Sequence, residues 1–108
     1  MTRRKDVARR PADYIDVGEW PDGALSSDAP VEATYAQHVS RTLKAALEDT
    51  TISQVARDAN LSREAIYDLV KGRAWPELIT LARCEQALGL TLWPIPHSLK
   101  GASSEPAR

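Results

Sequence analysis

The 108-residue chain has a single cysteine and two histidines. One thiol excludes an internal disulfide. Neither His38 nor His97 has a partner at metal-ligand spacing, so the pattern predicts no metal site and a reducing compartment, the cytoplasm by default. Long apolar runs are also lacking. Nothing approaches the roughly 18 residues that suggest a membrane span, and the basic start MTRRKDVARR has no apolar stretch of the kind a secretory signal needs. A soluble protein with no membrane contact is the expectation. No Ser/His/Asp or Cys/His set stands out, so neither an enzyme nor a cofactor is expected.

A surplus of one charge is missing too, since the formal net charge is −1. A uniformly basic nucleic-acid-binding domain is thereby excluded. The distribution says more than the average. Residues 1–10 carry five positive charges and one negative; residues 11–34 carry Asp13, Asp16, Glu19, Asp22, Asp28 and Glu32 with no base. A basic arm therefore sits beside an acidic strip.

With 43% hydrophobic residues the chain can bury one modest core, so a single domain with tails is expected. Residues 1–29 lack sustained periodicity and contain Pro11, Gly18, Pro21, Gly23 and Ser26-Ser27-Asp28. They read as an irregular or disordered arm. Ser27 or Asp28 is a candidate cap for a first helix that takes Pro30 in its first turn and runs to about Asp49, with Val39, Leu43, Ala46 and Leu47 on one face.

Thr51-Ile52-Ser53-Gln54 has the form of a capping box and opens a second helix with Ile52, Val55, Ala56 and Ala59 inward. Asn60 tolerates a left-handed backbone and can end it. Ser62 then caps a third helix whose apolar face is Ala65, Ile66, Leu69 and Val70, stopped by Gly72. Pro76 opens a fourth, carrying Leu78, Leu81, Ala82, Cys84 and Leu88 and ended by Gly89. LTLWPIP, residues 90–96, alternates apolar residues and holds two prolines, so it reads as extended with at most an edge-strand role. The expected domains are an arm at 1–29, a helical domain at 30–92 and an extended tail at 93–108.

A short turn between two amphipathic helices lets their apolar faces meet steeply while the second helix keeps one face free. Ala56 is the small residue at that crossing. The segment TISQVARDANLSREAIYDLVKGRAWPELITLARCEQALGLTL, Thr51 to Leu92, resembles the Cro/C1-type (XRE) helix-turn-helix family of bacterial and phage DNA-binding regulators. The resemblance rests on Ala56, Asn60, Ser62, Ile66, Leu69, Lys71-Gly72 and the later Pro-x-Leu-x-x-Leu and Ala-Leu-Gly. Counting the helix before it, the resemblance covers about residues 31–92 and implies an all-α, lambda-repressor-like bundle, to which the irregular N-terminal arm and extended C-terminal tail read above are added. It also implies that helix 63–71 enters the DNA major groove, so that Arg63, Glu64 and Tyr67 read bases. Arg can donate twice to guanine, Glu can accept from cytosine N4, and a Tyr ring can touch a thymine methyl. Ser62, Lys71 and Arg73 are then suited to phosphates. Ile52 stands where the family often has a phosphate-binding Gln, and Asn60 stands for the commoner glycine.

The function implied is a sequence-specific transcriptional regulator on double-stranded DNA, a repressor in the first instance, acting as a homodimer. Arg3, Arg4 and Lys5 are candidates for an arm on phosphates or in a minor groove. The alternative is an antitoxin that neutralises a small toxin protein and autoregulates its operon, since Leu61 to Tyr67 is similar to a phrase in antidotes built on this motif. Tyr14, Ile15, Trp20 and Leu25 would then form a toxin-binding element that folds on its partner.

Overall fold

The computed structural model describes residues 9–93. Four helices make the body: α1 (Val31–Ala46), α2 (Ile52–Ala59), α3 (Arg63–Lys71) and α4 (Leu78–Leu88). Their apolar stripes converge on one core of Val39 and Leu43 from α1, Val55 and Ala56 from α2, Ile66 and Leu69 from α3, and Leu81 and Cys84 from α4, closed by Leu92. Helices of eight and nine residues such as α2 and α3 are too short to hold their shape alone in water, so this shared burial stabilises both.

The expected stops at Asn60, Gly72 and Gly89 are present: all three C-caps are left-handed, with φ of 59°, 71° and 68°. The starts differ in detail. Ser27 and Asp28 do not cap α1; Ser26 Oγ donates to Asp28 Oδ1 instead, and Pro30 is the N-cap in an extended conformation. Pro76 likewise precedes α4, whose N-cap is Glu77. In both cases the proline fixes an extended approach and the helix begins after it. Thr51 Oγ1 accepts from the Gln54 N–H, but the Gln54 side chain turns along the helix to Asp58 and Arg57, so half of the capping box forms.

The arm expected to be irregular or disordered has defined structure from residue 9 onward. Pro11–Tyr14 is a 3-10 turn, and β1 (Ile15–Val17) pairs antiparallel with β2 (Ala24–Leu25), matching Ile15 to Leu25 and Val17 to Ala24. The residues counted as breakers permit this hairpin. Gly23 packs so closely that a Cβ there would lie 2.5 Å from Val17 O. Composition marked the turns and hid the pairing, because two- and three-residue strands carry almost no periodicity. Asp22, part of the acidic strip, faces Lys44 and Arg41 of α1 at 3.3 and 3.7 Å; such exposed pairs add little stability.

At the other end, the described part of LTLWPIP forms no strand. Leu92 plugs the core, and the N–H groups of Leu92 and Trp93 both donate to Glu85 Oε2, at 2.7 and 2.8 Å. Pro94 to Pro96 lie outside the described residues.

The ribbon is attached to α3 through Trp20 on Gly72. A Cβ on Gly72 would lie 2.6 Å from Trp20 Cε2, so the indole occupies the space that any other residue would need. The Ala12 N–H also donates to Gly72 O at 3.0 Å. Gly72→Ala should lower stability by at least about 1 kcal/mol from the left-handed backbone alone, plus the clash with Trp20. In a Trp20→Ala background the clash vanishes and the φ cost remains, so urea denaturation of the four-member cycle should give a smaller Gly72→Ala penalty there.

Half-buried His38 has its pKa held below the ordinary 6.5 by desolvation first and by the Arg41 charge second. A depressed histidine disfavours protonation in the folded state, so its contribution is complete above 6.5 and falls away as pH drops towards the folded value. The thermal midpoint should decline in that window, and His38→Gln should remove that part of the decline.

Candidate nucleic-acid interface

The turn that presents α3 is built from backbone chemistry. Asn60 takes φ 59° and ψ 48°, the Leu61 N–H reaches back to Ala56 O at 2.9 Å, and Arg83 of α4 donates to Asn60 O. The chain reverses there without leaving the end of α2 unbonded. Ser62 then accepts from the Ala65 N–H through Oγ at 3.0 Å, which starts α3 at once. Its hydroxyl proton stays available to an external acceptor.

With Ile66 and Leu69 buried, Arg63, Glu64 and Tyr67 lie on the opposite side of α3, exposed. They line one open hollow together with Ile52 and Ser53 from the first turn of α2. The three residues assigned to base reading thus share one surface. Ser53 was missed by sequence reasoning: it is exposed in the same hollow, but a lone serine inside a capping pattern carries no signal of its own.

The residues assigned to phosphates divide. Ser62 stands at the start of α3, whereas Lys71 and Arg73 gather at its far end around the Tyr67 ring, with Lys71 Nζ 5.6 Å and the Arg73 guanidinium 4.9 Å from its centroid. Arg73 also faces Asp68 Oδ1 at 3.9 Å, so Asp68 is turned to a basic neighbour on its own helix end. Arg3, Arg4 and Lys5 lie outside the described residues. The base of their arm is described: Trp75 Nε1 donates to Arg9 O at 2.9 Å, and the Arg9 guanidinium stacks 4.0 Å over Tyr14. Arg9, the first described residue, therefore lies beside the loop that carries Arg73. No local pattern foretold that contact, whose partners are 66 residues apart.

The carboxyl end of α3 is held from two sides. Ser40, buried on α1, donates its hydroxyl to Leu69 O, and the Arg73 N–H donates to Asp68 O at 2.9 Å. A short helix fixed at both ends can present side chains in a constant direction, as groove reading requires.

Residues 43–92 match the family model described as Helix-turn-helix, of the Cro/C1-type (XRE) kind. The domain is that of DNA-binding transcriptional regulators. No curated protein and no solved structure matches the chain. Among the described residues no helix is long and apolar enough to cross a membrane.

The Ser62 cap gives a direct check on how α3 is held. Ser62→Ala should cost about 0.5–2 kcal/mol in urea denaturation, whereas Glu64→Ala, which has no intramolecular partner among the described contacts, should stay within about 0.5 kcal/mol.

Proposed function

We propose that the protein is a sequence-specific repressor that inserts α3 into the major groove of double-stranded DNA, two copies docking on half-sites about one helical turn apart. The DNA-binding unit is residues 30–92, braced by the ribbon. The carrying observation is the open face of α3, on which Arg63, Glu64 and Tyr67 line one hollow. Arg63 reads guanine through two N–H donors, and Glu64 accepts from cytosine. Tyr67 contacts a thymine methyl or phosphate. Ser62, Lys71 and Arg73 hold phosphates on either side and set register without conveying sequence. Arg3, Arg4 and Lys5, which precede Arg9 in the chain, follow the adjacent backbone or minor groove. The site of action is the cytoplasm, where operator DNA is reached.

The repressor reading is preferred to the antitoxin reading because two residues proposed for a toxin are already engaged within the chain. Trp20 lies on Gly72, and Tyr14 packs beside Arg9 and Trp75, its ring centroid 6.3 Å from that of Trp75. A segment that folds only on its partner would leave such side chains free.

Selection of bound DNA from random sequence should return a two-fold-related site. On that site Arg63→Ala should cost about 1–3 kcal/mol and relax one base position, while Lys71→Ala should weaken binding to all sequences alike and lower the salt slope by about one. Equal losses on specific and random DNA for Arg63→Ala would refute base reading by that residue. Co-purification with a small protein at fixed stoichiometry, with no selected DNA site, would favour the antitoxin.

A further inference from the structure

An apolar groove of about 410 Å³ runs between α1, the loop after α3 and the end of the described chain. Tyr35, Ala36 and Val39 of α1 form one wall, Trp75 and Pro76 the next, and Leu81 and Trp93 complete the lining. Three of these are aromatic, and the one charged group is Glu32 at the rim. Trp93 is 48% exposed at its edge, so a large ring is held in partial contact with water.

The chain is pinned where it reaches this groove. Leu92 is fully buried, and both the Leu92 and Trp93 N–H groups are bound to Glu85 Oε2. The next three residues are Pro94-Ile95-Pro96. Proline fixes its own φ near −65° and disfavours a helical backbone in the residue before it, so a Pro-x-Pro sequence has few conformations to lose. Such a segment loses little entropy on docking, and aromatic-lined grooves accept extended proline-containing segments for that reason. Three extended residues reach roughly 9 Å, and with no linker after Trp93 their effective concentration at the groove exceeds that of a free segment.

We propose that Pro94-Ile95-Pro96 of the same chain docks in this groove, with Ile95 seated against Tyr35 and Trp75. The docked segment covers the Trp75 ring whose Nε1 binds Arg9 O. It thereby braces the loop that joins α3 to α4 and holds Arg9. The occupant is the chain's own tail, independent of whether DNA is bound.

The test is methyl NMR of the full chain without DNA. Isoleucine methyls are labelled, and a second sample mixes labelled and unlabelled copies to separate contacts within a chain from contacts between chains. The expected result is an Ile95 methyl signal moved upfield by the rings, with cross-relaxation to Tyr35 and Trp75 protons of the same chain. Ile95→Asp should abolish these contacts and increase binding of a hydrophobic dye, with far-UV circular dichroism unchanged. Unshifted Ile95 methyls without ring contacts would overturn the proposal. Contacts found only between differently labelled copies would also overturn it, assigning the groove to a second molecule.

Discussion

The carboxyl end of α3 is the point on which the other parts bear. Gly72 turns left-handed beneath the Trp20 indole, its carbonyl accepts from Ala12, and one turn earlier Leu69 O accepts from Ser40. A nine-residue helix has little stability of its own. Its direction is therefore set by what grips its ends: the Ser62 cap and turn at one, and Trp20, Ala12 and Ser40 at the other. Loss of either grip would leave the core residues Ile66 and Leu69 and the remaining grip to define the helix angle.

This arrangement gives the N-terminal segment a structural role that its composition conceals. The hairpin covers the end of α3, while two acids of this segment have local partners. Asp22 lies against Lys44 and Arg41, and Asp13 Oδ2 accepts from the Arg10 N–H at 2.7 Å. Neither carboxylate is drawn across the surface of α3. The basic groups at the far end of that helix, Lys71 and Arg73, gather over Tyr67, with Asp68 facing Arg73. A net charge near zero thus coexists with a local basic cluster beside an exposed helix face, and local charge is what a phosphate backbone meets.

Much of the helical domain is legible in the residues themselves, because each signal is local. Thr51 and Ser62 accept from the N–H three residues on, and Asn60, Gly72 and Gly89 supply positive φ where helices end. The apolar spacing placed Val55, Ala56, Ile66 and Leu69 in the core. The exposure of Arg63, Glu64 and Tyr67 follows from the same spacing, as the complement of the buried face. What escaped notice was non-local or too short to show a period: the hairpin, the Trp20 cover on Gly72, the Trp75 bond to Arg9, and Leu92 as a core plug held by Glu85.

By itself, then, the sequence determined where helices begin and end and which of their faces are apolar, since capping hydrogen bonds and side-chain periodicity act over three or four residues. Only the tertiary structure decided what Gly72 and Trp75 touch, because those partners, Trp20 and Arg9, come from 52 and 66 positions earlier in the chain. Contacts of that range depend on how elements pack, and a residue's own neighbours carry no record of them.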